Sequence, residues 1–497
     1  MKLETQLRAY FEEFDATLEP LEVEQVTLQQ VPGRQPPTMR RAVPGWAVAV
    51  AAFVTLLIAI GGAGLLFNRD VDETTPVTEP TTTTLVTTTI PSTTAPVTTA
   101  PPASTTVAPE PIPAPSVSQA PITWRRIEDT DATRFQDSPI EAITAGGPGF
   151  IAVGTEQAAT ADGGFAVDAV VWVSPDGETW ERIDSPVFGA GAAELGDRIG
   201  QLGTQWMSEV VTNGDRIIAV GYEDYAAAVW TSVDGYTWER VVDDDLPPGT
   251  TDSYMDAVAT YEGGFIAVGR HRGDAAVWLS PDGLDWTEVV NDDLRGDSDG
   301  QVSLEDVAAF DGGFVAVGDK GWANPGEGTE TYELFLAFSQ DGRNWERVPV
   351  VDELSGDLGL VLPPDMAERT MDGVAVVATE DRLFVSAAVG VGDGALFASE
   401  DGRSWQAVPV PEGPVQHFLG VWGDYLTTSL VTFDNGPRAA VRLTSGDMTE
   451  WLVAAIDEPA VFQTLVPLGS RLLAGGVYLG EDGEDFRGGI WIGTWDG

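Results

Sequence analysis

The chain has 497 residues, 78 of them acidic against 26 basic, for a formal net charge of −52. That charge repels nucleic acid and anionic membrane surfaces and favours cations or basic partners, although a salt-adapted or high-GC source would account for it without any ligand. Cysteine is absent and histidine occurs only at His271 and His417. This excludes disulfides, thiol nucleophiles and thiolate metal sites, and leaves little material for histidine metal sites or Ser-His-Asp triads.

Residues 1–45 read as a cytoplasmic tail. It opens with a short amphipathic pattern in which Leu3, Leu7, Tyr10, Phe11, Phe14 and Leu18 share one helical face. Alone it would be marginal in water, so a cytoplasmic partner of residues 1–30 is one expectation and a solvated tail the other. Trp46 to Phe67 follows without a charge, WAVAVAAFVTLLIAIGGAGLLF, long enough to cross a ~30 Å hydrocarbon layer as a helix. Arg34, Arg40 and Arg41 precede it, while Asp70, Asp72 and Glu73 follow. The positive-inside bias therefore predicts a cytoplasmic N-terminus, a plasma-membrane location and everything beyond residue 67 outside. A cleaved signal peptide is the competing reading, but the apolar stretch is too long for one. Residues 68–121 are dominated by Thr and Pro. Such composition buries too little apolar surface to offset ordering entropy, which predicts a disordered stalk reaching up to ~160 Å. Ser/Thr-rich, Pro-rich stalks are often O-glycosylated.

From residue 122 the sequence repeats itself. SPDGETW (174–180), SVDGYTW (232–238), SPDGLDW (280–286), SQDGRNW (339–345) and SEDGRSW (399–405) recur about every 50 residues, the mark of a propeller or similar array. Each motif is preceded by three short apolar, β-branched segments and followed by one more, as in YMDAVAT, GGFIAVG, AAVWLS and WTEVV of the third unit. Four antiparallel strands make a propeller blade. The motif suits the turn between third and fourth strands: Gly supplies positive φ, and Ser and the acid (Asp176, Asp234, Asp282, Asp341, Asp401) accept turn amides. Trp180, Trp238, Trp286, Trp345 and Trp405 are plates for packing one blade on the next. Units begin near residues 140, 206, 254, 304, 371, 417 and 462. The sixth ends in a degenerate TSGDMTEW, and the seventh lacks an outer strand that ITWRRI (122–127) would supply. The prediction is an all-β, seven-bladed propeller over 122–497, closed by strands from both ends of that span, and monomeric.

The motif resembles the Asp-box (BNR) repeat of sialidase-like β-propellers, here in a membrane-anchored bacterial member. The resemblance implies a structural turn on the face away from any active site. Sialidase activity, as that family runs it, would need an arginine cluster, a Tyr/Glu nucleophile pair and an Asp acid. The inner strands IEAIT, MSEVV, MDAVA, LEDVA, MDGVA and FLGVW contain no arginine, and the Arg-Ile-Pro signature is missing, so catalysis of that type is not expected.

Glu141, Glu209, Asp256, Asp306 and Asp372 stand at matching places near the start of the inner strands, at the channel mouth opposite the turns. Converging carboxylates repel unless something compensates them. A cation or basic-ligand site is one reading, and acceptance of hydrogen bonds from neighbouring loop amides is the other. Ca2+ is the one cofactor considered. Its place would be the acidic loop carrying Asp292, Asp293, Asp297 and Asp299, which falls short of a calcium loop because Arg295 stands at the first ligand position. Variable loops between second and third strands offer Tyr225, His271, Trp322 and Tyr332 for carbohydrate or peptide contact. The function expected is binding of a glycan, cell-wall or protein ligand at this mouth. The alternatives are a hydrolase or lyase using paired carboxylates, and a transmembrane signalling protein acting through the tail.

Overall fold

The computed structural model describes residues 115–496 apart from 160–164, 190–203, 244–245, 247–251, 297–299, 325–328, 352–358, 362–370, 390–392, 412–417, 433–437, 446–447 and 481–485. The tail, the apolar stretch 46–67 and most of the Thr/Pro linker therefore lie outside the described residues. Among the described residues no helix is long and apolar enough to cross a membrane.

Seven sheets follow one another along the chain. Blade 3 is representative: inner strand Ser253–Tyr261, second Gly264–His271, third Asp274–Ser280 and outer Thr287–Glu288, each antiparallel to the next. The inner strands of the other blades are Ile140–Gly146, Gln205–Thr212, Gln301–Phe310, Met371–Ala378, Leu419–Trp422 and Ala460–Leu468. In blade 7 the outer strand is Ile122–Arg126, antiparallel to Phe486–Trp495. The linker boundary at residue 121 needs correction. Ser116–Gln119 is a strand, parallel to Glu450–Ala455 on the outer edge of blade 6. Four residues of modest β propensity pair there because the edge offers them unpaired backbone groups.

The Ser-x-Asp-Gly-x-x-Trp turns share one bonding scheme. At 339–345, Gly342 N–H donates to Ser339 Oγ (2.9 Å), and the Arg343 and Asn344 amides donate to Asp341 Oδ1 (2.8 and 2.7 Å). Trp345 Nε1 then donates to Gly342 O at 2.9 Å. Gly342 has φ +74°, where a side chain would be strained. Those amide bonds hold the Asp341 carboxyl down to about 2. Each turn Trp is buried against the preceding blade. Trp238 packs with Val153 and Val171 of blade 1, Trp286 with Ile218 and Val229 of blade 2, and Trp405 with Val315 and Leu336 of blade 4. The degenerate blade-6 turn buries Trp451 in the same kind of interface, but its Nε1 finds no acceptor among the described residues.

Candidate functional site at the channel mouth

Six inner strands carry a β-bulge near their start: one residue is skipped in the pairing with the second strand. The skipped residues are Glu141, Ser208, Asp256, Glu305, Val374 and Gln463. The five predicted acids therefore do not share a register, which corrects the sequence alignment. Glu141 and Asp256 are bulge residues, whereas Glu209 and Asp306 come one residue later and pair with Val220 and Val317. Asp372 precedes its bulge by two and pairs with Ala388. The offset of Glu209 and Asp306 is visible when the inner-strand sequences are aligned residue by residue, but that the shared column is a bulge is a property of the pairing.

The residue after the bulge has a defined task in alternate blades. Thr464 Oγ1 of blade 7 accepts from Ile143 N–H of blade 1 (3.3 Å), Glu209 Oε2 of blade 2 from Val258 N–H of blade 3 (2.9 Å), and Asp306 Oδ2 of blade 4 from Val376 N–H of blade 5 (2.8 Å). Every donor lies two residues beyond its own bulge. Ala142, Ala257 and Ala375 hold the acceptor position in blades 1, 3 and 5. An inner strand has one ladder edge free toward the axis, and these side chains satisfy an edge N–H that would otherwise be orphaned. Two of the five acids thus follow the hydrogen-bonding reading, with strand amides rather than loop amides as donors.

Glu141, Glu209, Asp256 and Asp306 keep some accessible surface, although their carboxyl groups sit deep within the protein. Burial pushes Glu141 and Asp256 up to about 7; Gln463 moderates the first, while for the second Arg270 lowers and Asp319 raises. Glu209 and Asp306 are also raised, first by burial, and the nearby Asp306 charge adds to the effect on Glu209. At neutral pH these four carry less than their formal charge. Among the described residues no three acidic or histidine groups lie close enough to hold a metal ion.

Near Asp256 lies an aromatic row of which the sequence candidates include only Tyr225. Trp206 stacks on Tyr222 (6.2 Å, 3°), Tyr222 meets Tyr254 edge-on (4.9 Å, 68°), and Tyr225 does likewise at 6.3 Å. The Arg270 guanidinium lies over the Tyr254 ring, 4.3 Å from its centroid. Burial raises the Tyr222 hydroxyl strongly, and the neighbouring Tyr254, Asp256, Tyr225 and Glu141 groups add to the effect. Arg270 hydrogen-bonds the Tyr254 hydroxyl, whereas Asp256 Oδ2 and Glu141 Oε1 are buried atoms with no hydrogen-bond partner among the described residues. Such groups cost about 1–3 kcal/mol each until something pairs with them. The signal was there in the repeat alignment: WMSEV and YMDAV place Trp206 and Tyr254 at equivalent positions. Inner strands do lack arginine, but Arg270 arrives from a second strand, where the absence of inner-strand arginine says nothing.

The remaining candidates are scattered. Tyr225, at φ +66°, joins the aromatic row, and its carbonyl accepts from Ser253 N–H. His271 Nδ1 is engaged with Glu288 (2.9 Å) toward the outer strand. Trp322 and Tyr332 belong to the long second hairpin of blade 4, pairing with Thr331 and Gly321. Asp292 and Asp293 open a 3-10 turn capped by Asn291, and Asp292 pairs with Arg295 at 3.3 Å. Asp297 and Asp299 lie outside the described residues.

No protein-family model matches the chain, and no curated protein matches it. Among solved structures, the phage phi92 endosialidase is 11% identical, with 76% of this chain and 70% of that one covered at a TM-score of 0.40. The polysaccharide lyase Uly1 is 12% identical over 69% of this chain and 88% of that one, at 0.43. A glycosyl hydrolase from Bacteroides ovatus is 13% identical over 56% and 89%, at 0.31. Likeness at this level carries nothing about activity.

Proposed function

We propose that this propeller is a recognition module, anchored in the plasma membrane by residues 46–67 and displayed outside the cell, that binds a glycan at the channel mouth. The observation that carries it is the aromatic row, whose buried members Tyr222 and Tyr254 brace two half-buried rings, Trp206 and Tyr225, that keep surface open to a ligand. Partly exposed aromatic rings suit the apolar face of a sugar ring. Binding of the full-length chain to an array of neutral and acidic glycans tests this, with Trp206→Ala and Tyr225→Ala as controls. Glycan binding that both variants weaken supports the reading. Retention by neither glycan class, or binding that both variants leave unchanged, sinks it.

A hydrolase or lyase draws on a different observation. Glu141 and Asp256, held near neutrality with an unpaired oxygen each, have the pKa of general acids. Cleavage of an array-positive glycan, abolished in Asp256→Asn, would move the assignment to catalysis.

A further inference from the structure

A second concavity lies away from the channel, where the outer strand of blade 7 runs into blade 1. It has a volume of about 300 Å³, and its lining includes Arg126, Asp129, Glu458, Tyr478 and the bare backbone of Gly488–Gly489. The Arg126 guanidinium lies flat on Tyr478, 3.6 Å from the ring centroid. Glu458 is oriented from behind: its Oε1 accepts from Trp491 Nε1 at 2.6 Å. Arg126 and Glu458 face each other at 3.5 Å, an ion pair too long for a good hydrogen bond. The planar donors of one and the second oxygen of the other therefore stand side by side, fixed in orientation but with capacity to spare. Both are half-buried, so the cleft can be reached from solvent.

We propose that this cleft binds one ring of a neutral sugar, with adjacent hydroxyls accepting from Arg126 and donating to Glu458. Donor and acceptor held side by side match the alternating capacity of a vicinal diol. Charged ligands fit less well. Glu128, Asp129 and Glu458 line the cleft and repel anions, while a cation finds Asp129 engaged by loop amides and Glu458 engaged by Arg126 and Trp491. Asp129 does not compete for the ligand: it accepts from Thr133 Oγ1 and from the Thr130, Phe135 and Gln136 amides, which holds the loop in place. Gly489 matters because a Cβ there would come within 2.8 Å of the Trp491 ring and 3.2 Å of Tyr478. The volume is at the lower end of small-ligand clefts, enough for one or two rings.

Saturation-transfer NMR on the purified full-length chain tests the assignment, using mannose and glucose as probes and glucuronate and spermidine as charged counter-probes. Neutral hexoses are expected to bind in preference to both counter-probes. Arg126→Met, which retains packing on Tyr478 but not the donors, should weaken them by at least ~10-fold. Tyr225→Ala at the channel mouth should leave this binding intact, so failure at the rim is distinguishable from failure at the mouth. Should Arg126→Met melt early, Glu458→Gln carries the test: it keeps an acceptor for Trp491 and removes the one offered to the sugar. No hexose signal, a preference for either charged probe, or hexose binding that a folded variant leaves unchanged overturns the proposal.

Discussion

Asp306 of blade 4 accepts the Val376 amide of blade 5 at 2.8 Å, tying two inner strands together across their free edges. The donor faces the axis, where no strand can pair with it. Asp306→Ala should therefore cost about 1–3 kcal/mol by leaving a buried N–H orphaned, while Asp306→Asn, which keeps an acceptor oxygen, should cost less. Chemical denaturation of the three chains gives the comparison. Equal stability of wild type and the alanine variant would show that water satisfies Val376 instead.

The same carboxylates set the pH dependence. Glu141, Asp256, Glu209 and Asp306 are raised above ordinary carboxylate values in the folded protein. Folding thus favours their protonated forms, and the stability they contribute is full below the unfolded values near 4 and lost as pH rises through about 7. The turn acids act oppositely. Asp341, held down to about 2, contributes above pH 4 and loses that contribution as pH falls toward 2. Melting temperature should peak at mildly acidic pH and decline toward pH 9. The double variant Glu209→Gln/Asp306→Asn should flatten the alkaline side; an unchanged alkaline slope would count against the channel acids as its cause.

Two turn tryptophans should respond differently to the same substitution. Trp345→Phe loses the Nε1 bond to Gly342 O and leaves that carbonyl unpaired. Trp451→Phe removes an N–H that has no acceptor among the described residues. Both open a similar gap, so Trp345→Phe should be the more destabilising by about 1 kcal/mol. Urea midpoints of the paired variants check this, and equal losses would mean that ring volume alone matters.

Ring closure makes a further prediction. A chain lacking residues 115–126 loses the outer strand of blade 7 and the parallel strand on blade 6. The exposed edge of Phe486–Trp495 would template intermolecular pairing. Light scattering should show concentration-dependent aggregation, and a stable soluble monomer would mean that closure is dispensable.

Much of the fold was legible because its information is local and repeated. Ser, Asp, Gly and Trp at fixed spacing specify a turn through bonds spanning three residues, and five copies of that turn announce blades. The acids and aromatics of the mouth were visible as residues but not as an arrangement. Asp306 and Asp256 stand one place apart in LEDVA and MDAVA, and only the strand pairing shows that this offset sets one against a neighbouring strand's amide and leaves the other with an unpaired oxygen. Tyr222, Tyr254 and Arg270 come from different strands of two blades, and Arg126 meets Tyr478 only because the ring closes. Blade number and turn chemistry thus follow from the sequence alone, since both depend on near neighbours. Which side chain faces which is decided by strand pairing and closure, where a shift of one residue changes every contact.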